Sequence, residues 1–150
     1  MKKLFGILIV VFLLGIILLT GCRPPEVEGI VVNMNNGLYD KALELAKDAV
    51  KKYPANPEAW FLLGKLQARQ ENYVEMNEAF NKSLELSPTF EAQIKQIRFD
   101  GFATNYNSGI KNYYKKAQDE QDPVKKKELF KKAGEKFLNA HLADPLRSEP

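Results

Sequence analysis

The sequence has very little of the residue types on which most catalytic and metal sites depend. It holds one cysteine, Cys22, and one histidine, His141, in 150 residues. A zinc site of the usual kind needs about four Cys or His ligands, so that class of site is excluded. A disulfide within the chain is impossible. The sequence also lacks a G-x-S-x-G turn, an H-E-x-x-H pair, a phosphate-binding loop and a glycine-rich dinucleotide fingerprint. We therefore expect neither an enzyme nor a bound metal or cofactor.

The first 21 residues differ in character from the rest. Lys2 and Lys3 precede a stretch from Leu4 to Leu19 that carries no charge. A basic start, an apolar middle and small residues at the end are typical of an export signal. The apolar stretch is also close to the minimum for a membrane-spanning helix, roughly 18–20 residues. An uncleaved N-terminal anchor is therefore the alternative, although two internal glycines and the prolines after Cys22 favour the signal.

The tetrad Leu19-Thr20-Gly21-Cys22 closes this segment and resembles the lipobox of bacterial lipoproteins. The resemblance implies lipid transfer to the Cys22 thiol, cleavage after Gly21, and acylation of the new amino terminus. Three acyl chains, at about 0.8 kcal/mol per buried methylene, hold a protein on a bilayer almost permanently. We predict a signal peptide over 1–21 and lipidation at Cys22. Arg23 is not the aspartate of inner-membrane retention, which favours the periplasmic face of an outer membrane where the host has one.

Residues 22–36 are predicted to be the lipidated terminus and a tether. The segment begins with two prolines and holds one short apolar patch, Ile30-Val31-Val32. A shortened first helix or a brief extended segment at this patch is the alternative.

The net charge argues against nucleic acid as a partner. The whole chain has a formal charge of +3, and two of its cations are Lys2 and Lys3 of the predicted signal. The mature chain is therefore nearly neutral, whereas binding to a phosphate backbone depends on clustered positive charge.

From Gly37 onward, apolar residues recur at spacings of three and four, which indicates amphipathic helices. The first helix ends at Pro54, because proline lacks the amide hydrogen that a helix interior needs. The second begins with Asn56 as a cap and Pro57 in the first turn. A third ends before Pro88, a long one covers about 91–117, and a last one begins at Asp122-Pro123.

These helices repeat with a regular period. The matched positions of two copies are Tyr39, Ala42, Ala46, Ala49 and Pro54 in one, and Tyr73, Met76, Phe80, Ser83 and Pro88 in the other. A further copy of the second-helix pattern, which does not keep the period, is Ala133, Phe137, Ala140 and Pro145. The pattern and its period of about 34 residues resemble the tetratricopeptide repeat. The resemblance implies an all-α, right-handed solenoid of about two and a half to three helix–turn–helix units over 37–145, with 146–150 as a tail. An ordinary helical bundle is the alternative.

In that family the first helix of each unit lines a concave groove. The resemblance implies that the groove residues of the best-matched copy are Glu58, Phe61, Lys65, Ala68 and Arg69. We predict partner binding at Phe61, Lys65 and Arg69, because an aromatic ring flanked by two cations suits a peptide with an apolar side chain and acidic groups. On the long helix, the predicted groove residues are Asn107, Lys111 and Tyr114. Alternatively, Phe61 packs against the long helix and the two cations are solvated.

The last helix carries two features of its own. Its lysines, interleaved with glutamates, are interpreted as a solvated face, with contact to anionic lipid headgroups as the alternative. Phe130, Phe137 and Leu138 are expected to be partly exposed, and an exposed apolar patch marks an interaction surface. We expect this end to meet a partner or a second copy of the chain. His141 is interpreted as a packing or edge residue.

These observations together predict a membrane-anchored adaptor or scaffold for protein partners in the bacterial cell envelope. The alternative function is an accessory lipoprotein that modulates an envelope enzyme or transporter.

Overall fold

A computed structural model describes residues 23–147 of the chain, and within that range all regular structure is helical. The helices are α1 (Pro25–Asn35), α2 (Tyr39–Lys52), α3 (Pro57–Arg69), α4 (Tyr73–Leu86), α5 (Glu91–Ser108), α6 (Lys115–Asp119) and α7 (Pro123–Ala143). A 3-10 turn (Pro88–Phe90) precedes α5, and a π-helical turn (Gly109–Tyr114) joins α5 to α6. Between residues 23 and 147, no helix is long and apolar enough to cross a membrane. The predicted signal peptide and Cys22 lie outside the described residues.

The helices pack as three consecutive antiparallel pairs. Helix α1 packs on α2, α3 packs on α4, and the continuous helical segment from α5 to α6 packs on α7. The first helices of successive pairs also touch, since α1 contacts α3 and α3 contacts α5. The predicted all-α fold of helix–turn–helix repeats is confirmed, and the three pairs lie at the upper end of the predicted number.

Local signals set the starts of α3 and α7 as predicted. The side chain of Asn56 accepts a hydrogen bond of 3.0 Å from the amide of Ala59, and Pro57 occupies the first turn of α3. Asp122 caps α7 by accepting hydrogen bonds from the amides of Val124 and Lys125. These caps satisfy amide groups that a helix leaves without partners at its start.

The core lies between the helices of each pair and is densest in the second pair. Met76 and Phe80 of α4 are fully buried there, and so is Ile94 near the start of α5. Gly64 on α3 faces the ring of Phe80, and a Cβ atom placed on Gly64 would lie 2.3 Å from the ring carbon Cδ1. The absence of a side chain at Gly64 therefore lets α3 and α4 approach closely enough to bury this ring.

The folded domain begins earlier in the chain than the sequence predicts. The sequence favours a lipidated terminus and tether over 22–36, but α1 starts at Pro25, and Val27 and Ile30 have 0% of their surface exposed. Because these two side chains are three positions apart, they share one face of a helix and both bury against the domain. The tether prediction is wrong from Pro25 onward, where the chain forms the short first helix named as the alternative.

The long helix predicted over about 91–117 is present, with a change of geometry inside it. Six residues, Gly109–Tyr114, adopt π-helical hydrogen bonding before the α-helix resumes and ends at Asp119. A Cβ atom on Gly109 would lie 2.6 Å from Cε1 of Phe137 on α7, so the π-helical turn coincides with a very close approach of the two helices. The chain then breaks at residues 120–122, between the two helices that the sequence predicts.

Candidate partner-binding surface

The three residues predicted to bind a partner on α3, here called the α3 stripe, are one buried residue and two cations at the surface. Phe61, Lys65 and Arg69 follow one another at intervals of four, which places them along one side of the helix. Phe61 is only 7% exposed, and its ring stacks on that of Phe90 with 4.3 Å between centroids and 6° between planes. The prediction that Phe61 contacts a partner is therefore corrected. Its neighbour is Phe90 of the 3-10 turn before α5, because that turn folds back over the start of α3.

Lys65 and Arg69 are held in place by aromatic rings. The Lys65 Nζ atom lies 5.5 Å from the centroid of the Phe61 ring, and the Arg69 guanidinium carbon lies 3.6 Å from the centroid of Tyr39 on α2. Such contacts are worth about 0.5–1 kcal/mol at exposed sites. Lys65 is half-buried and Arg69 is exposed, so both charges face solvent from restricted positions. A partner that pairs with them has less side-chain entropy to remove.

The start of α3 presents the opposite charge, and Arg23 neutralises it. The Arg23 guanidinium donates two hydrogen bonds to the Glu58 carboxylate, of 2.8 and 3.1 Å, and a third of 2.6 Å to Glu28. These carboxylates raise the pKa of Arg23 above its ordinary value. The Glu58 carboxylate is therefore paired within the chain, so the charge that the α3 stripe presents to a partner is positive.

A polar cluster marks where the long helical segment passes the end of α3. The buried side chain of Asn105 donates a hydrogen bond of 2.6 Å to the Tyr73 hydroxyl. Lys136 on α7 contacts Asn105 at 3.2 Å and Glu71 at 2.9 Å, and Glu71 raises the pKa of Lys136. This cluster fixes Asn105 beside the turn between α3 and α4.

The predicted groove residues on the long helical segment lie beyond that point. Asn107 and Lys111 are exposed, and Tyr114 is 41% exposed and packs edge-on against Phe130 of α7 at 5.8 Å between centroids. Asn107 to Tyr114 follow Asn105 toward the segment's C-terminal end, whereas Phe61 packs against its start. Whether either predicted set binds a partner stays a prediction.

Residues 33–89 match the family model described as Tetratricopeptide repeat. The match spans α2, α3 and α4, which belong to the helix–turn–helix pairs described above. A TPR repeat-containing protein of Methanocaldococcus jannaschii is 31% identical to this chain over 105 residues. The aligned region is 68% of this chain and 18% of the relative, so the chain spans less than a fifth of the length of that protein. No solved structure matches the chain significantly. Arrays of such repeats present extended surfaces to protein partners, which supports an interaction role at a coarse level.

The third repeat holds a cavity that the sequence does not predict. Its volume is about 310 Å³, and its walls are almost entirely apolar. The lining residues come from the π-helical turn, from α6 and from α7, and they are Ile110, Tyr114, Lys115, Gln118 and Phe137. Tyr114 alone among the predicted groove residues belongs to it. Two of the lining residues, Ile110 and Tyr114, belong to the π-helical turn, and a regular helical period carries no signal for such a turn.

The repeats hold no arrangement of side chains typical of a metal site. Among residues 23–147, no three His, Cys, Asp or Glu side chains are grouped closely enough to bind an ion. His141 is exposed near the end of α7, which agrees with its interpretation as an edge residue.

Proposed function

We propose that this chain is a lipid-anchored adaptor of the bacterial cell envelope, whose repeats bind a protein partner near the membrane. The observation that carries the proposal is the pair of cations on the best-matched repeat. Lys65 and Arg69 project from the first helix of that repeat, and each lies over one aromatic ring, which restricts its motion. Restricted, exposed charges favour specific recognition, because less side-chain entropy is lost when a partner binds.

The anchor is the second part of the proposal. Cys22 directly precedes Arg23, and Arg23 is bonded to Glu28 and Glu58 of the folded domain. With lipid on Cys22, the repeats lie at the bilayer surface on the extracytoplasmic side, at the outer membrane where the host has one. The expected partner is an envelope protein with acidic side chains.

The anchor is tested by comparing wild type with Cys22→Ala in the native host. We expect wild type to fractionate with membranes and to begin at an acylated Cys22 by mass spectrometry, and the variant to keep its signal. Membrane-bound wild type that retains Met1 would instead establish an uncleaved spanning anchor and overturn the lipoprotein proposal.

The adaptor role is tested by affinity capture of the full chain from cross-linked membranes. The double variant Lys65→Glu/Arg69→Glu should lose the partners that wild type captures. The matched control is Lys41→Glu/Lys47→Glu, which reverses two exposed lysines on α2. Equal capture by both variants and by wild type would show that Lys65 and Arg69 do not belong to the binding site.

A further inference from the structure

The second helix of each repeat carries the same stripe of outward side chains, and the following repeat covers it. On α2 the stripe includes Tyr39, Leu43 and Val50. Arg69 of the next repeat lies over the ring of Tyr39, and Leu43 and Val50 are each 8% exposed. The first junction of the array is therefore closed by helix α3.

The second junction is closed at the same positions of the following repeat. Tyr73 bonds to Asn105 of the third repeat. Arg98 of α5 donates hydrogen bonds of 2.7 Å to Asn77 and 2.9 Å to Asn81. Asn77 in turn donates a hydrogen bond of 2.7 Å to a backbone carbonyl of α7. Polar contacts replace apolar ones here, but helices of the next repeat still cover the stripe.

The equivalent stripe of the third repeat, on α7, is open among the described residues. At the positions of Tyr39, Leu43 and Val50 it carries Phe130, Gly134 and His141. Phe130 is 40% exposed and His141 is exposed. No atom outside the helix lies within 4 Å of a Cβ placed on Gly134. The fold thus repeats a helix-binding face a third time and leaves it uncovered by residues 23–147.

The apolar cavity continues this open face. Phe137 lines the cavity from α7, and Tyr114 lines it from the opposite side while packing edge-on against Phe130. A partner lying along α7 can therefore place one large apolar side chain between the two helices. Apolar anchors that enter well-packed pockets supply most of the binding energy at protein interfaces.

The positive charge around this face further restricts which partners can bind. Residues 109–147 hold ten cationic and six acidic side chains, whereas residues 23–108 hold ten cationic and twelve acidic ones. Lys115 lies at the cavity itself. Six lysines of this region form no ion pair within residues 23–147, and they are Lys111, Lys115, Lys116, Lys125, Lys126 and Lys127. Positive charge around an apolar cleft favours an acidic partner and suppresses a basic one.

From these observations we infer that the face formed by Ile110, Tyr114, Phe130 and Phe137 binds an acidic amphipathic helix of a protein partner. One apolar side chain of that helix enters the cavity, and its carboxylates pair with the surrounding lysines. The occupant is a helix because the two equivalent stripes are each covered by helices, and helix-in-groove binding uses apolar side chains at such spacing. The inference rests on the proposed function in that the chain binds protein, but it concerns a surface separate from Lys65 and Arg69.

The test is an unbiased selection. A displayed library of helical peptides about 18 residues long, roughly five turns, is selected on the full-length chain in phosphatidylcholine nanodiscs. We expect the selected peptides to be net negative, with apolar residues at helical spacing. Their affinity should fall about tenfold or more with Phe130→Ala and with Lys115→Glu.

The matched controls are Phe99→Ala and Lys41→Glu. Phe99 is also 40% exposed but lies on α5 under Arg147, and Lys41 is an exposed lysine of α2. Neither change should alter the affinity of the selected peptides. Because Lys115 is exposed, reversing its charge should leave the protein folded. A loss of affinity in Lys115→Glu therefore reports lost binding and not lost folding.

Three results would overturn the inference. The first is that the selected peptides are not enriched in acidic residues, or that they bind wild type and Phe130→Ala with the same affinity. The second is a dimer in analytical ultracentrifugation that Phe130→Ala dissociates, which would make a second copy the occupant. The third is displacement of the peptides by phosphatidylglycerol vesicles, which would make the face a membrane contact. If membranes still yield partners that depend on Lys65 and Arg69, the proposed function survives while this inference fails.

Discussion

Gly64 lies directly against the ring of Phe80, and no space for a methyl group remains between them. A Cβ atom on Gly64 would lie 2.3 and 2.4 Å from two carbons of that ring, which is fully buried. The ring cannot turn aside without disturbing Phe61, whose centroid lies 6.1 Å away. The contact therefore sets how closely the two helices of the second repeat approach.

Gly64→Ala should destabilise the protein although alanine is the better helix former. Overpacking a core costs about 1–3 kcal/mol, and the gain in helix propensity returns about 1 kcal/mol. We expect a net loss of up to about 2 kcal/mol in the free energy of unfolding, measured by urea denaturation.

Gly134→Ala is the matched control, since it makes the same change in mid-helix where no atom lies within 4 Å. It should raise the free energy of unfolding by about 0.5–1 kcal/mol. Equal effects of the two substitutions would show that Phe80 does not limit the approach of α3 and α4.

The bond between Tyr73 and Asn105 should couple the second and third repeats. Tyr73→Phe removes the hydroxyl that accepts the hydrogen bond of Asn105, at an expected cost of about 1 kcal/mol. Asn105→Ala removes the partner and also its contacts with Gly101 and Lys136. A double-mutant cycle should give an interaction energy of about 0.5 kcal/mol or more. Strict additivity in urea denaturation would contradict the coupling.

Tyr73 should ionise above the ordinary tyrosine pKa in the folded protein. Burial raises its pKa above the ordinary value, which the hydrogen bond from Asn105 only partly offsets. A raised pKa contributes stability that is complete below the ordinary tyrosine pKa of about 10 and is lost as the pH rises through the higher folded value. Ultraviolet absorbance titration should show a late phase that disappears in Tyr73→Phe. A single phase in wild type would refute this assignment.

Glu26 should make the docking of α1 sensitive to acid. Hydrogen bonds from Lys52 and from the hydroxyl of Tyr53 lower the pKa of Glu26 to about 2. A lowered pKa contributes stability that is present above the unfolded value of about 4.3 and is lost as the pH falls toward 2. The melting temperature of Glu26→Gln should therefore be lower than that of wild type at pH 6, and the difference should vanish near pH 2.

Glu44→Gln serves as the control for that titration, because Glu44 is an exposed carboxylate of α2 with no ion pair within residues 23–147. Its melting temperature should follow that of wild type across the range. A difference between Glu26→Gln and wild type that does not change with pH would exclude the proposed linkage.

The fold could be predicted wherever its signals are local. Pro54, Asn56, Pro57 and Pro88 mark the ends of α2, α3 and α4 in the sequence, and the helices begin and end at or within a few residues of them. The sequence favours a tether where α1 forms, because this helix has only 11 residues and a short apolar patch. Its helical state depends on packing against α2, which a local pattern does not contain.

The candidate surface could be predicted only in part. The positions of Lys65 and Arg69 follow from the helical period, but the burial of Phe61 depends on Phe90, which belongs to the turn before the next repeat and folds back over it. The cavity beside Phe137 depends on a π-helical turn that ordinary helical sequence also permits. Long-range packing and small changes in helix geometry therefore decide what the repeats expose.

Arg23 also limits how far the domain can reach. A flexible tether over 22–36 would allow an excursion of about 50 Å from the bilayer, at about 3.3–3.6 Å per extended residue. With Arg23 bonded to Glu28 and Glu58 and α1 packed from Pro25 onward, that length is taken up inside the fold. If Cys22 carries lipid as we propose, the domain is held close to the bilayer, and the distance that it reaches from the membrane is limited by the dimensions of its own helices. The longest uninterrupted α-helix among residues 23–147, α7, has 21 residues and spans about 32 Å. A domain held in this way selects partners by their distance from the membrane as well as by their chemistry.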